Sequence, residues 1–342
     1  MSYTTATPLA RQQLTRLLDK AKTGRVGLIG DLCLDMYWIA DMKRSQLSRE
    51  TPHYPLPIVQ ERYAPGGAGN VACNLADLKP ASLQVLGVVG TDWRGDLLCK
   101  ALSEHGICTE NVVRDPELMT NTYIKPLRCG ISDVVYEDPR LDFENRKPIS
   151  EATEQALLQK LLSVAKKLDV LCVSDQMEFG CITPKIREAI CQLGKEGLTV
   201  IVDSRDRAGL YRHVIRKPNE VEAGRLAGII VEGPADAAAL CQRLSSECER
   251  PGIITLGSQG SMLCEKDVCT HVPACPVKPP LDFCGAGDTF LSGLGVMLAG
   301  GASLTEAAQV ATLCSAVTVK KLDTTGTATH QELLAAHSQY FA

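Results

Sequence analysis

Near its C-terminus the chain reads Asp282-Phe283-Cys284-Gly285-Ala286-Gly287-Asp288-Thr289-Phe290, and a helical pattern follows over residues 291–298. The small residues Gly285, Ala286 and Gly287 allow successive backbone N–H groups to point into one concave spot. The helix that follows adds the positive end of its dipole at the same place. The sequence therefore predicts an anion-binding site of the kind that holds phosphate groups.

Asp288 places a carboxylate inside that site, where a loop that only bound phosphate would avoid negative charge. A carboxylate beside a phosphoryl group is useful when it takes a proton from an attacking hydroxyl. We therefore expect a phosphotransferase with Asp288 as its general base.

The composition excludes several classes of protein. The chain has 342 residues, 45% of them hydrophobic, which is enough for a large core. Its formal net charge is −4 and it has no run of Lys and Arg, so we expect no nucleic-acid partner. The N-terminal region has no apolar core of signal length, and the chain has no run of eighteen apolar residues. These absences predict a cytoplasmic protein that does not enter a membrane.

The 15 cysteines are scattered along the chain. The closest pair is Cys264 and Cys269, so no Cys-x-x-Cys zinc or redox motif is present. Many lie inside apolar runs, as Cys172 and Cys191 do, where they behave as small buried hydrophobes. The odd number fits a reducing compartment, and we expect no metal site built from these side chains.

Short apolar runs alternate with longer helical patterns. The candidate strands are residues 26–30, 83–89, 170–174, 199–203, 213–216 and 252–256. The candidate helices are residues 69–78, 95–105, 151–168, 184–194, 220–226, 235–246, 288–299 and 303–321. Strands separated by helices imply βαβ units and a mostly parallel sheet. Function is expected at the carboxyl ends of these strands, where open α/β sheets bind ligands.

Two segments, residues 32–63 and 120–143, interrupt this alternation. The first holds three prolines among alternating apolar residues, and the second carries β-branched and aromatic residues between turn signals. Both are typical of β-rich insertions that together form a small sheet over the active site, as a lid and a homodimer surface. The alternative is two ordinary surface loops. We expect a single domain over residues 1–342 with this lid.

Two polar clusters follow the first candidate strand. The paired glycines Gly66 and Gly67 precede a helix, where the backbone can approach a ligand closely, and the amide of Asn70 can both donate and accept. Asp31 and Asp35 stand just past the strand, where carboxylates suit the recognition of vicinal hydroxyls, so both are candidate substrate-binding residues. The alternatives are a simple turn for the glycines and capping for the carboxylates.

Two more clusters lie in the second half of the chain. Asn219 is a natural N-cap, and Glu222 three positions later would complete a capping box, which suffices as a local explanation. Thr255, Gly257 and Gly260 follow another candidate strand. This glycine turn either lies against a nucleotide phosphate or only turns a hairpin.

The order of these clusters is more specific than any one of them. Four motifs follow one another along the chain: Gly-Gly-x-x-Asn, Asn-x-x-Glu, Thr-x-Gly-x-x-Gly and Gly-Ala-Gly-Asp. With its motifs in this order, the chain resembles the ribokinase (PfkB) family of sugar kinases from about residue 26 to about residue 327. The resemblance implies a ribokinase-like, doubly wound sheet flanked by helices with a small β lid. It also implies ATP as donor, Mg²⁺, and a small sugar or sugar phosphate as acceptor.

The resemblance implies a role for each motif. It makes Asp288 the catalytic base, and the amides of Gly285, Ala286 and Gly287 the anion hole. It assigns Asn219 and Glu222 to the binding of the phosphates and magnesium, with Glu222 contacting the metal directly or through water. The positions that match the nucleotide loop are Thr255, Gly257 and Gly260, and those that match sugar contacts are Asp35, Gly66, Gly67 and Asn70.

One departure from the family concerns a monovalent cation. Family members usually have Thr-Gly-Ala-Gly-Asp, and here Cys284 replaces the Thr. In the family, the residues that match Asp282 and Cys284 help to hold such a cation, for example K⁺. A carbonyl ligand survives a change of side chain, so the sequence leaves the potassium requirement open. The glycines and the aspartate of the loop are intact, which favours activity.

The lid sequence suggests the acceptor. Three parts of the sequence resemble bacterial heptose-7-phosphate kinases: residues 48–59, the compact segment 65–70 and Arg140-Leu141-Asp142-Phe143-Glu144. Those enzymes phosphorylate O1 of a heptose 7-phosphate on the way to ADP-heptose. The sequence has no His-x-Gly-His signature of the nucleotidyltransferase domain found in many of them, so we expect the kinase alone. Six basic lid residues could clamp the distal phosphate: Arg44, Arg49, Arg62, Lys125, Arg128 and Arg140. Of these, Arg49 and Arg128 are chosen for testing.

Other functions stay open. The usual Ser-Pro-Glu-Ala-Pro of heptose kinases is absent from residues 50–55, so a ribose- or fructose-type kinase is one alternative. A catalytically weak nucleotide- or sugar-binding homologue is another. A dinucleotide-binding oxidoreductase is excluded, because the first candidate strand is not followed by Gly-x-Gly-x-x-Gly.

Overall fold

The structure is a computed structural model that describes residues 2–322 and 325–341. The outer limits of the predicted domain, Met1 and Ala342, lie outside the described residues. The strands are β1 (Thr4–Thr5), β2 (Arg25–Gly30), β3 (Leu32–Asp41), β4 (Ile58–Gly67), β5 (Ser82–Gly90), β6 (Val112–Asp115), β7 (Thr122–Cys129), β8 (Tyr136–Glu137), β9 (Leu141–Phe143), β10 (Val170–Asp175), β11 (Thr199–Ser204), β12 (Ile215–Arg216), β13 (Gly252–Thr255), β14 (Ser261–Glu265) and β15 (Val268–Val272).

The α-helices alternate with these strands. They are α1 (Arg11–Ala21), α2 (Ala68–Asp77), α3 (Trp93–Glu104), α4 (Glu151–Ala165), α5 (Pro184–Lys195), α6 (Glu220–Ala227), α7 (Pro234–Cys248), α8 (Ala286–Ala299), α9 (Leu304–Thr318) and α10 (His330–Phe341). Short 3₁₀ turns cover Met42–Arg44, Ala208–Leu210 and Gly257–Gln259.

A ten-stranded sheet forms the centre of the molecule, in the order β1-β15-β14-β13-β12-β11-β10-β2-β5-β6. Neighbouring strands from β13 to β6 run parallel, whereas β14 runs antiparallel to both of its neighbours. The predicted mostly parallel sheet is therefore confirmed. All six candidate strands are present, but β12 begins two residues later than predicted, because His213 has a φ of 60°, outside the extended region.

Helices cover both faces of this sheet. Along β2, Val26 and Leu28 face a core shared with α1, α2, α8, α9 and α10, whereas Ile29 points to the other face, among residues of α4 and α5. Burial on both faces explains why the central strands read as continuous apolar runs. The buried faces hold the carboxyl ends of the strands in fixed positions along one edge.

A second, five-stranded sheet has the order β4-β3-β7-β8, with β9 paired to β7. The two segments that interrupt the α/β alternation supply these strands. Only Asp31 separates β2 from β3, and β4 passes directly into α2. Two of the connections between the sheets are thus very short, whereas residues 116–121 join β6 to β7 and residues 144–150 join β9 to α4.

One pair of cysteines departs from the expectation of separate buried thiols. A disulfide joins Cys264 and Cys269. The two residues are directly opposed in the register of β14 and β15, which brings their Cα atoms within 4.3 Å. The other 13 cysteines are free, and 8 of them are buried, among them Cys172, whereas Cys191 is only half-buried.

Across residues 2–322 and 325–341, the structure has no helix with the length and apolar character needed to cross a membrane.

Candidate active site

A cavity of about 630 Å³ opens at the carboxyl edge of the large sheet. Three of the predicted motifs converge on it, although they are far apart in sequence. The predicted residues that line it are Asn219, Glu222, Thr255, Gly257, Gly260, Gly285, Ala286, Gly287 and Asp288. The structure therefore brings the predicted nucleotide and catalytic residues together around one space.

The floor of the cavity is the N-terminus of α8. Gly285 is the N-cap with a φ of 77°, and a Cβ built there would lie 2.7 Å from Asn70 Nδ2. Glycine is therefore required twice, for the left-handed backbone and for the close approach of the Asn70 amide. The N–H groups of Gly287 and Asp288 belong to the first helical turn, whose donors have no carbonyl partner within the helix.

Asn70 donates a hydrogen bond from Nδ2 to Asp288 Oδ2 at 2.7 Å. Burial raises the pKa of the half-buried Asp288 to about 7, against the effect of this hydrogen bond, and the nearby Asp203 carboxylate adds to the rise. A carboxylate with this pKa can accept a proton at neutral pH and release it again. This is the property that a general base requires.

Two buried side chains that the sequence motifs do not include hold Asn70 in place. Asn74 Nδ2 donates to the backbone carbonyl of Asn70 at 3.0 Å and to Asn70 Oδ1 at 3.2 Å, and Thr289 Oγ1 donates to Asn74 Oδ1 at 3.1 Å. The four-residue spacing of Asn70 and Asn74 on α2 places both amides on the same helix face. The four-residue spacing is the sequence signal that could have identified Asn74 as a partner of Asn70.

Asn219 and Glu222 form the capping box that the sequence predicts. Glu222 N–H donates to Asn219 Oδ1 at 2.8 Å, and Asn219 N–H donates to Glu222 Oε2 at 2.9 Å. Burial raises the pKa of Glu222, against the Asn219 N–H bond. The cap uses one of the two Glu222 oxygens, so capping does not prevent a further role at the cavity.

The Thr255 segment lies beside this cap. Thr255 N–H donates to the Pro218 carbonyl at 3.1 Å, and the turn closes with a bond from Leu256 N–H to the Gly260 carbonyl at 2.8 Å. Gly260 has a φ of 91° and packs against Val272 so tightly that a Cβ would lie 2.0 Å from its carbonyl oxygen. The turn joins β13 to β14, so it both makes a hairpin and lines the cavity.

Asp35 lies on β3 of the second sheet, above Gly66. A Cβ on Gly66 would lie 2.5 Å from Asp35 Oδ2, so the glycine leaves room for the carboxylate. Burial raises the pKa of Asp35, opposed by Lys125 and Arg140, and the Asp35 charge acts in turn on Asp288. The predicted sugar-contacting aspartate thus lies close to the predicted base.

Gly67 ends β4 and begins α2 with a φ of 54°. A Cβ there would lie 2.6 Å from the Asp31 carbonyl oxygen. Glycine at this position lets the chain turn from the second sheet into the helix that carries Asn70.

The prediction that Asp31 binds substrate is corrected by its geometry. Its Oδ2 accepts the backbone N–H groups of Gln176 and Met177, and its Oδ1 accepts that of Cys181, each at 2.8 Å. The residue is 2% exposed. Asp31 turns into the protein and holds the loop after β10, because the backbone donors of that loop satisfy its charge.

Lys217 and Asp203 are cavity residues to which sequence reasoning gave no role. Lys217 Nζ lies 2.9 Å from Asp203 Oδ2, and both side chains are buried. Lys217 directly precedes the Pro218-Asn219 motif, and Asp203 ends a candidate strand, so the sequence placed both near the site. It did not indicate that they pair.

A second cavity, of about 770 Å³, shares Gln176 with the first. It lies between the second sheet and the edge of the large sheet. The residues that line it are Met119, Asn121, Tyr123, Asp142, Phe143, Glu144, Asn145, Arg146, Gln176, Met177, Glu178, Phe179, Arg205 and Asp206.

The basic residues predicted to clamp a phosphate are distributed differently from the expectation. Arg128 pairs with Asp138, and Arg140 pairs with Asp142 while lying over the Tyr123 ring. Neither Arg49 nor Arg128 is among the lining residues of the second cavity, whereas Arg146 and Arg205 are. The sequence-based prediction did not include Arg146 and Arg205 because both lie outside the lid segments.

Comparison with known proteins agrees with this geometry. The model of the pfkB family of carbohydrate kinases matches residues 29–331. The chain is 31% identical over 332 residues to a protein named bifunctional protein HldE from Citrifermentans bemidjiense, with 96% of this chain and 66% of that protein covered. The chain thus spans just under two thirds of the length of this relative.

Two solved structures show the same fold. Phosphofructokinase-2 from Escherichia coli in complex with substrates and products superposes with a TM-score of 0.72 at 20% identity, covering 94% of this chain and 100% of that chain. Ribokinase from Arabidopsis thaliana complexed with ribose and ATP gives 0.67 at 18% identity, covering 92% and 98%. The predicted ribokinase-like fold is confirmed. Because the family model covers most of the sequence, the protein belongs to the pfkB family of carbohydrate kinases and is a phosphotransferase.

Proposed function

We propose that the protein is an ATP-dependent kinase that transfers the γ-phosphoryl group to O1 of a heptose 7-phosphate. The observation that carries the kinase reaction is Asp288 at the N-terminus of α8, hydrogen-bonded to Asn70, with a pKa of about 7. The acceptor hydroxyl gives its proton to Asp288, and its oxygen forms a bond to the γ-phosphorus. The bond from that phosphorus to the β–γ bridging oxygen breaks, and its electron pair stays on ADP.

The first cavity fits the nucleotide. Its volume of about 630 Å³ lies in the usual range for a small-molecule site. Its lining includes the first turn of α8 and Lys217, which suit phosphates, together with the apolar side chains of Ala274, Pro276, Val277 and Val319, which are available to an adenine ring. This combination suits both the phosphates and the base of ATP.

Magnesium would be held by few protein groups. Over residues 2–322 and 325–341, no cluster of three or more His, Cys, Asp or Glu side chains forms a metal cage. Mg²⁺ keeps several waters and is usually bound by one or two carboxylates together with substrate phosphates. Glu222 fits this pattern, and the bound metal would neutralise the β- and γ-phosphate charge.

The acceptor is proposed to extend from Asp288 into the second cavity. Asp35 and Asn70 lie next to Asp288 and suit the hydroxyls near O1, while Arg146 and Arg205 line the cavity beyond Gln176 and suit a distal phosphate. The lid sequence that resembles heptose-7-phosphate kinases and the relatives named HldE support the heptose. Another sugar phosphate is the alternative, because residues 50–55 depart from the usual heptose-kinase sequence.

The remaining assignments stay proposals. Exposed apolar side chains of the second sheet and its connecting loop support a homodimer through this surface: Ile58, Val59, Ile131, Val134, Val135 and Tyr136. A potassium site at Asp282 stays a prediction. Asp282 Oδ1 accepts the Cys284 N–H at 2.9 Å, so this oxygen is partly used within the loop. A reaction that uses ATP fits the expected cytoplasmic location.

Asp288→Asn should lower kcat by about a hundred- to ten-thousand-fold, because the base is lost while the hydrogen-bonding shape remains. Nucleotide affinity should change little.

In the unaltered protein, kcat/KM should rise with pH up to about 7 and level off above it, since the base acts when deprotonated. Steady-state kinetics across pH and calorimetric titration of ADP measure both effects; turnover within a few-fold of the unaltered protein would exclude this role.

Glu222→Gln should raise the magnesium concentration needed for half-maximal rate, because an amide is a weaker magnesium ligand than a carboxylate. Gln still accepts the Asn219 N–H, so the capping box and the melting temperature should be retained. Rates measured over a magnesium series test the effect. An unchanged magnesium curve would leave Glu222 with capping alone.

Heptose 7-phosphate should be used with a kcat/KM far above that of the same heptose without its phosphate. The advantage should shrink about tenfold or more in Arg146→Gln and Arg205→Gln, because each removes a charge that lines the second cavity. Arg49→Gln, an exposed lid residue that does not line this cavity, is the matched control. Equal use of both acceptors by the unaltered protein would contradict the heptose-phosphate proposal and leave an ordinary sugar kinase.

A further inference from the structure

Residues 176–179, here called the cavity loop, lie where the two cavities meet. The loop directly follows β10, Gln176 lines both cavities, and the next three residues line the second one. The sulfur of Met177 accepts a hydrogen bond at 2.8 Å from Nδ2 of Asn121, the residue before β7 of the second sheet. An acceptor that extends from Asp288 into the second cavity therefore passes the cavity loop.

The N–H groups of the cavity loop are held by Asp31. Its Oδ2 accepts the N–H groups of Gln176 and Met177, each at 2.8 Å. An ionised carboxylate can only accept hydrogen bonds, so the carbonyl groups of the loop need a donor from another side chain.

Arg207 supplies that donor. Its Nη2 donates to the Met177 carbonyl at 2.5 Å, and its Nη1 donates to the Glu178 carbonyl at 3.3 Å. A guanidinium group carries five N–H donors in a fixed plane, so one side chain can hold two carbonyls and still pair with a carboxylate. Arg207 thus anchors the carbonyl side of the same loop whose N–H side Asp31 holds.

Asp175 fixes the direction of the Arg207 side chain. It ends β10, is 0% exposed, and accepts Arg207 Nε at 3.1 Å on Oδ1 and at 3.2 Å on Oδ2. Its Oδ2 also accepts the Ser204 hydroxyl at 2.7 Å and the Tyr211 hydroxyl at 2.9 Å. Because Ser204 ends β11, the guanidinium is tied to the ends of two neighbouring strands of the large sheet.

We infer that Arg207, held by Asp175, is a positioning residue that fixes the cavity loop and, through it, the place of the acceptor relative to Asp288. Arg207 is not among the described residues that line either cavity, so it acts through the loop and not on the substrate. A displacement of about 1 Å that originates far from the chemistry can cost about a hundredfold in rate. The inference rests on the proposed kinase function and adds a residue to its acceptor site.

The competing explanation is that Arg207 belongs to a buried network that serves only the fold. Tyr211→Phe tests this, because it also removes a donor from Asp175, but the hydroxyl that it deletes bonds to Asp175 and not to the loop carbonyls. Arg207→Lys keeps a positive charge beside Asp175, so we expect it to fold, yet a compact ammonium group cannot reproduce the planar fork. Arg212→Met is the matched control, since Arg212 is exposed and donates to carbonyls of its own turn.

The first measurement is amide hydrogen exchange over residues 176–179. Exchange should be about tenfold or more faster in Arg207→Lys, because two hydrogen bonds from a charged group to the loop are lost and the loop opens more often. Tyr211→Phe and Arg212→Met should leave the exchange of this loop nearly unchanged. Tyr211→Phe should still lower the melting temperature, because a buried carboxylate loses a donor.

The second measurement is steady-state kinetics with heptose 7-phosphate at saturating ATP and magnesium. In Arg207→Lys, kcat/KM for the acceptor should fall by about ten- to a hundred-fold, because the acceptor is no longer aligned with Asp288. The dissociation constant of ADP, measured by calorimetry, should change little, since most of the first cavity is lined by other segments. Tyr211→Phe and Arg212→Met should retain the acceptor kcat/KM.

The results decide between the two roles. Faster loop exchange and a weakened acceptor step that occur in Arg207→Lys but not in Tyr211→Phe support positioning. If either property is unchanged in Arg207→Lys, or changes as much in Tyr211→Phe, the network serves the fold alone and the inference is overturned. If the unaltered protein does not phosphorylate heptose 7-phosphate, the proposed acceptor is wrong; the kinetic comparison then uses fructose 6-phosphate or ribose, and the exchange measurement needs no acceptor.

Discussion

The close approach of α2 to the start of α8 is the constraint on which the site depends. It exists because Gly285 has no side chain where the Asn70 amide lies, and because its backbone takes the left-handed conformation that begins α8. Any larger residue would separate the two helices at this point. The distance from Asn70 to Asp288, the proposed base, therefore depends on the absence of a Cβ atom at residue 285.

Charge burial gives the same region its chemistry. The pKa of the half-buried Asp288 lies near neutrality because burial disfavours its charged form and because Asp203 lies near, while the Asn70 hydrogen bond and Lys217 limit the rise. Burial also raises the pKa of Asp31, but both of its carboxylate oxygens accept backbone N–H groups of the loop after β10, so this side chain holds the fold together. The groups around each aspartate, and not the carboxylate itself, thus decide which of the two faces the cavity.

Local signals predicted the mostly parallel sheet and many of the residues that line the first cavity. The Gly-Ala-Gly-Asp loop could be recognised because backbone conformation and helix polarity act within a few residues, and the capping box of Asn219 and Glu222 is equally local. The pairing of Lys217 with Asp203 could not be predicted, since it depends on the lateral order of β11 and β12 in the sheet.

Two other misses have physical reasons of the same kind. The disulfide between Cys264 and Cys269 depends on the register of β14 and β15, two strands that were not among the candidate strands. The inward direction of Asp31 depends on a loop that lies 145 or more residues away.

The short connection at Asp31 limits how the second sheet can move. Asp31 is clamped by the loop at residues 176–181 and by a bond from its N–H to the Ser174 carbonyl, and the link from β4 to α2 has no intervening loop, whereas the connections from β6 to β7 and from β9 to α4 are longer. Because the first two links have no slack, the corner of the second sheet formed by β3 and β4 is fixed to the large sheet. The loop that clamps the corner carries Gln176, which borders both cavities. A displacement of this loop would therefore change the lining of both cavities at once.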